Sequence, residues 1–291
     1  MKHGAPFLRT GVRPRAPSLA YRSRDAMIEL PDVERMIERI AGYTTGKTIS
    51  IIRIDDPDVA SIERDIVENH LENHAVDSVE RHGRYVVLRF RSDYSLMFDM
   101  GDDGLLRLES QTAPPTDRTR IRFQFAAGRE LRFSSSGSQG TVQAVAGSEF
   151  NEKGSLQSLG VDPLSDDLTL ARFESLAEGN ARSSIKGFLL NQKAIAGIGN
   201  DYADEICFQA GVRPDRRVGQ LEPEQLDRLH RYLKRVLRRA TLHWSAAHSD
   251  PGWLINSRSS GGPCPRCRHA LTSLRVTGRK TVLCPRCQAA A

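Results

Sequence analysis

Four of the five cysteines come as two copies of one tetrapeptide, Cys-Pro-Arg-Cys, at 264–267 and 284–287. The C-x2-C-x16-C-x2-C spacing suits two knuckles at the ends of a hairpin, whose four thiolates can close a tetrahedron around Zn2+. Cys264, Cys267, Cys284 and Cys287 are therefore the expected ligands of one zinc ion per chain. Four protein ligands leave no open position, so the metal is expected to be structural. Two disulfides or free thiols are the competing reading. His269 lies outside the knuckle spacing and reads as a surface residue, and Cys207, among apolar neighbours, reads as a small core residue. Between the knuckles "TSLRVTGRKTVL" reads as two short strands joined at Thr277-Gly278. It carries Arg275, Arg279 and Lys280, and basic side chains on a metal-braced hairpin suit contact with phosphates.

A second constellation is "NQKAIAGIGNDYADEICFQAG" at 191–211, two helical stretches around a glycine-rich turn. Glycines let a backbone approach a partner closely. The amides that open the helix at Asp201 form an anion site at its positive end. Asn200 can bond a phosphate there and Lys193 can pair with one. By itself such a turn is as often only a turn.

The elements that must position these residues follow from periodicity. Val33, Met36, Ile37 and Ile40 recur at helical spacing, with Gly42 as the expected stop. Runs at 47–54, 84–90, 94–100, 104–109, 120–126, 130–135 and 140–145 read as strands, and together imply a two-sheet sandwich. Helical patterns follow at 170–179, 183–192, 201–211 and 223–244, with Thr169 and Ser183 as N-caps and Gly179 and Gly211 as C-caps. The fold class is thus α+β. Residues 1–26 form a basic leader or precede the functional start at Met27, and 27–150 form the sandwich domain with its N-terminal helix. A linker spans 151–169, a helical domain 170–255 and the cysteine module 256–291.

Charge is unevenly spread over the 291 residues. Residues 1–26 carry +5, 27–227 carry −11 and 228–291 carry +12, for a net +6. A C-terminal part so basic suits a polyanion, nucleic acid first and an anionic membrane surface second; a solubilising face is the plainer reading. No apolar run is long enough for a membrane span. Without a secretory h-region, and with paired cysteines, the chain is expected in a reducing cytoplasm.

With these pieces the chain resembles the formamidopyrimidine-DNA glycosylase / endonuclease VIII family. The resemblance rests on "ELPDVE" (29–34), "AIAGIGNDYADEICFQAGVRP" (194–214) and "GRKTVLCPRCQ" (278–288). It implies an N-terminal helix, a β-sandwich, a helix–two-turn–helix domain and a zinc finger, with double-stranded damaged or abasic DNA in the cleft and the protein a monomer. It also implies that Glu29 is the catalytic carboxylate at the sugar, that Asn200 contacts phosphates beside the lesion and that Arg279 contacts the backbone. A flipped base would lose its N-glycosidic bond through an oxocarbenium-like state, which a carboxylate can stabilise.

The sequence departs from the family around that site. Ile28 stands where the family exposes an N-terminal proline amine that attacks C1′. Arg84 stands where the family has a functional lysine; it can hold a phosphate but cannot form a Schiff base. The loop "SSSGSQG" (134–140) lacks the family's intercalating arginine, and "FDMGDDG" (98–104) replaces a His- and Met-bearing stretch. Its carboxylates, Asp99 above all, could hold a catalytic water; a solvated turn is the simpler reading. Two functions follow. One is a DNA glycosylase using Glu29 and Asp99, with lyase activity weak or lost. The other is a non-catalytic binder of damaged, abasic or bent DNA.

Overall fold

The first helix, α1, spans Leu30–Thr44 in the computed structural model, which describes residues 28–137, 140–147, 158–242 and 251–289. The leader lies outside the described residues. Pro31 in the first turn and a capping box between Glu29 and Asp32 start α1. Gly42 does not end it. The helix runs two residues further, and the chain turns at Gly46, whose φ of 77° lets its amide reach the Val76 carbonyl at 2.8 Å.

Nine strands make two sheets: β1 (Ile49–Ile54), β2 (Ala60–Ser61), β3 (Val76–His82), β4 (Tyr85–Phe90), β5 (Tyr94–Asp99), β6 (Leu105–Ser110), β7 (Thr119–Phe125), β8 (Arg129–Ser134) and β9 (Thr141–Ala146). One sheet has the order β1-β7-β8-β6 and the other β2-β9-β5-β4-β3. Alternate residues of both sheets, such as Phe98, Phe123 and Phe133, fill the space between them, joined by Val33, Met36 and Ile40 from α1. The expected sandwich is present. Sequence periodicity missed β3, whose Val76 and Val79 are three apart. A bulge between Val76 and Ser78 supplies the extra residue, and its place at the sheet edge tolerates the polar remainder. Between β2 and β3, a short helix α2 (Arg64–Ile66) widens into a π turn over Val67–Leu71.

The helical half holds α3 (Leu170–Gly179), α4 (Ile185–Leu189), α5 (Asn200–Ala210) and α6 (Pro223–Leu242). Thr169 caps α3, accepting from the Arg172 amide at 3.2 Å. The cap of α4 is Ser184, not Ser183, because its hydroxyl is the one that reaches the Gly187 amide. Gly179 is the last residue of α3, with Asn180 as its cap, whereas Gly211 closes α5 at φ 66° as expected. A second core forms around Phe173, Phe188, Tyr202 and Leu233. The end module is a hairpin of β10 (Thr272–Val276) and β11 (Arg279–Leu283), seated on Phe208 and Leu254.

An ion-pair bridge ties the sandwich to the segment that leads into the helical half. Arg81 on β3 pairs with Glu34 of α1 at 2.5 Å and with Asp162 at 2.6 Å. Burial would discharge this guanidinium, but the two carboxylates outweigh it and hold its pKa above the ordinary value. Gly160 lies against the carbonyl carbon of Ala194, where a Cβ would come within 2.2 Å, so only glycine lets this segment meet the glycine-rich turn.

Candidate active site and zinc hairpin

Glu29 is 2% exposed and lies where α1 meets α5. Its Oε1 accepts from the Asp201 amide at 2.7 Å; its Oε2 accepts from Gly199 at 3.0 Å and Tyr202 at 3.1 Å. These are the free amides of the α5 N-terminus, where the helix dipole favours a negative group. The anion site expected for a DNA phosphate is therefore filled by the chain's own carboxylate. Gly199 makes this possible, since a Cβ there would come within 2.4 Å of Glu29. The backbone beside it is held as tightly: Glu29 N donates to Asp32 Oδ2 at 2.9 Å and Leu30 N to the Gly197 carbonyl at 2.9 Å.

The 99–104 turn closes over the same segment. The Ile28 nitrogen donates to the Asp102 carbonyl at 3.1 Å, and its side chain is buried. It is a peptide amide, not a free amine. Asp99 is half-buried and its Oδ1 accepts from the Gly101 amide at 2.9 Å. Asp103 accepts from Ser135 Oγ and pairs with Arg118. Its burial would raise its pKa, but hydrogen bonds from Ser136 and Ser135 and the Arg118 charge hold it below the ordinary value. Asp99 and Asp103 thus fasten this turn to itself and to the 134–137 loop. Arg84, just after the positive-φ Gly83, donates to the Gly101 carbonyl at 3.5 Å and spans from the β3–β4 turn to the 99–104 turn.

The four cysteine sulfurs lie within 4.8 Å of one another, with Cys264 to Cys287 at 3.8 Å and Cys267 to Cys284 at 3.5 Å. Four sulfurs bound to one zinc at about 2.3 Å would stand about 3.8 Å apart, so the cluster fits the ion. Amides of Arg266, Cys267 and Cys287 donate to the Cys264 and Cys284 sulfurs, which eases the charge of four thiolates. His269 is exposed and outside the cluster, as its spacing implied. The hairpin tip packs on α4, where Thr277 would lie 3.1 Å from a Cβ on Gly187.

Arg275 and Lys280 face each other across the β10–β11 pair, while Arg279 is opposite Val276 and so falls on the other side of the pleat. All three are exposed, as is Lys193 on the glycine-rich turn. Asn200 begins α5, half-buried, its Nδ2 3.5 Å from Asp201 Oδ1.

Three family models match the chain. The formamidopyrimidine-DNA glycosylase N-terminal domain covers 27–142, the H2TH domain of the same glycosylase 159–248, and the zinc finger found in FPG and IleRS 261–290. The formamidopyrimidine-DNA glycosylase of Geobacter metallireducens is 31% identical over 270 residues, covering 90% of this chain and all of the relative. That of Shouchella clausii is 30% identical over 279 residues, covering 90% and 99%. The chain belongs to the formamidopyrimidine-DNA glycosylase family. Lactococcus lactis Fpg, solved with abasic-site DNA, superposes with a TM-score of 0.80 at 24% identity, and with N7-benzyl-Fapy-dG DNA at 0.79 and 23%. Both matches cover 90% of this chain and 100% of the other, and they show the fold. The hairpin is thus a one-zinc finger of this family.

Sequence reasoning missed the charged residues that join these parts. Lys186 and Asp204 are fully buried and 2.6 Å apart, and Arg258 reaches Asp204 at 2.7 Å. Burial raises the Asp204 pKa to about 6 against the pull of Lys186, and lowers that of Lys186 despite Asp204. Next to it Glu205, raised by burial to about 7, accepts from the Ile255 amide at 2.8 Å and ties α5 to the chain entering the finger. The signal in the sequence was the acid pair at 204–205 inside an apolar helix face.

Proposed function

We propose that this protein is a DNA glycosylase of base-excision repair that binds damaged duplex DNA and hydrolyses the N-glycosidic bond of a flipped base. The observation that carries the reading is Glu29, fixed by three amides at the seam between sandwich and helical half. A carboxylate so anchored stabilises developing positive charge at C1′ without having to move. The C1′–N bond breaks, water supplies the new C1′–O bond, and its proton goes to the departing base. Asp99, at the mouth of the 99–104 turn, is the candidate to orient that water. Arg84, Lys193, Asn200, Arg275, Arg279 and Lys280 are the proposed contacts to the DNA backbone.

Strand cleavage through a Schiff base is weak or absent in this reading. The Ile28 nitrogen is an amide bonded to Asp102, so its lone pair is not free to attack C1′, and Arg84 offers a guanidinium rather than the primary amine a Schiff base needs. That same observation favours a second reading, a binder of damaged or abasic DNA without catalysis. Single-turnover incubation with duplexes bearing oxidised, alkylated or abasic sites, with borohydride present, separates the two. Base release without a trapped adduct, abolished in Glu29→Gln, is the expected result. Tight salt-dependent binding with no product on any lesion leaves only the binder, and a trapped adduct overturns the loss of Schiff-base chemistry. Glu29→Gln sets an amide group against amide donors, so its zinc content and DNA affinity must match the parent for the result to count.

A further inference from the structure

Arg258 lies in the strand of chain that enters the zinc finger, just past a single turn at Leu254–Ser257, with its side chain 15% exposed. It reaches back to two carboxylates of α5. One guanidinium nitrogen, Nη2, donates to Asp204 Oδ2 at 2.7 Å, and Nη1 donates to Asp201 Oδ1. Asp201 in turn gives its backbone amide to Glu29 Oε1 in the shortest of the three bonds that hold that carboxylate.

Asp204 is also where the zinc hairpin grips the helical half. Its Oδ2 accepts the Val282 amide of β11 at 3.0 Å. Its Oδ1 accepts from Lys186 Nζ, which also donates to Thr281 Oγ1 at 2.8 Å and to the Lys280 carbonyl at 3.1 Å. Lys186 already compensates Asp204, so docking the hairpin does not require the second prong of Arg258 on Asp201. That prong falls on Asp201, one of the residues whose amides cradle Glu29.

We infer that Arg258 is a positioning residue that couples the seating of the zinc hairpin to the geometry of the Glu29 carboxylate. The inference rests on Glu29 as the carboxylate at the reacting sugar. A hairpin pulled into place by DNA shifts Val282 and Thr281, these act on Asp204 and Lys186, and Arg258 carries the shift to Asp201. Coupling then has a contiguous chain of hydrogen bonds and ion pairs, each with a named partner.

The test is amide hydrogen exchange at 199–202 in the full zinc-loaded protein, for Arg258→Lys, Thr281→Val and the double variant. Lysine keeps a charge beside Asp204 but cannot span two carboxylates. In Arg258→Lys exchange at Asp201 and Tyr202 should rise about tenfold, and single-turnover base release should fall by a similar factor. Affinity for a duplex with a stable abasic analogue should stay within about threefold. Thr281→Val should give a smaller rise, and the double variant no more than Arg258→Lys alone, as for groups acting in series. Parent-like exchange in Arg258→Lys, or additive effects in the double, overturns the coupling. A parent protein that releases no base while the exchange pattern holds would sink the glycosylase reading and leave the coupling standing.

Discussion

The sandwich and the helical half both bury charge, and they use it differently. In the sandwich, Arg132 and Glu130 form a buried pair at 2.5 Å, and the guanidinium spends its other donors on the carbonyls of Ser110, Ala113 and Pro114. That pair pins one surface loop. The pair lies on the face of β8 away from Leu131 and Phe133, which enter the apolar space between the sheets, where Phe98 is 5.7 Å from both Phe123 and Phe133. In the helical half Lys186, Asp204 and Glu205 have no exposed surface and gather partners from α4, α5, the finger's entry and β11. A buried ion pair is weak support for stability but fixes geometry where several segments share it. The sandwich is held by packing; the helical half is aimed by buried charge.

Removing zinc should break this contrast most deeply, on one side only. A four-thiolate zinc contributes on the order of 10 kcal/mol to folding its module. The hairpin core is small: Phe208, Leu254, Leu271 and Val282 with the cysteines themselves. Chelation should raise the Kd for abasic-site DNA at least about a hundredfold, because phosphate contacts supply much of such affinity. Amide exchange in β4 and β5 should stay unchanged. Unaltered affinity after complete chelation would show that the finger takes no part in binding. The converse experiment is Phe123→Ala. Emptying a fully buried phenylalanine position costs about 3–5 kcal/mol, read by denaturant unfolding. Single-turnover base release per folded molecule should remain within about twofold, since this substitution leaves the charged network intact. A large loss of rate at full folding would mean that sandwich packing aims the site as well.

This contrast also decides what could be read from the chain beforehand. Seven sandwich strands, the finger hairpin, every helix except α2 and its π turn, and the metal knuckles were legible because each obeys a local rule of alternation, periodicity or ligand spacing. β3 was not, since its bulge shifts the alternation at the residue where a reader would look for it. The α5 N-terminus was recognised as an anion site, but its occupant comes from 172 residues upstream of Asp201. Nothing local distinguishes a helix end that waits for phosphate from one already filled by Glu29. Lys186, Asp204 and Arg258 were invisible for the same reason: a buried charge is identified by its partner, and these partners lie 18 and 54 residues apart. The resemblance to the family pointed to Glu29, and only the fold supplied the amides that hold it.

A smaller effect should appear in pH dependence. Burial raises the Glu205 pKa from its ordinary value near 4.5 to about 7. The folded state therefore keeps this proton more firmly than the unfolded chain. The associated stability is complete below about pH 4.5 and is lost as pH rises through 7. Glu205→Gln has no such proton to lose. The stability of the parent relative to the variant should fall by at most about 3 kcal/mol between pH 5 and 8, measured by urea unfolding. Taking the difference cancels the titration of the cysteines and Asp204. A flat difference would mean that the amides of Leu254 and Ile255 and the Gln209 side chain compensate the ionised carboxylate fully.

The smallest expected effect asks whether the basic surface of one half is used and that of the other is not. Arg279 opens β11 and is exposed on the finger, and Arg107 is also exposed, on β6 of the sandwich. If Arg279 meets a phosphate, Arg279→Ala should weaken binding of abasic-site DNA about three- to tenfold whatever the flanking sequence, and lower the salt slope by about one. Arg107→Ala should change neither, since β6 is an edge strand of the sheet that carries no part of the Glu29 segment. Equal losses from both would point to diffuse electrostatic attraction. Loss from Arg279 alone, with a slope smaller by one, would place a phosphate on the finger and leave the sandwich to frame the base.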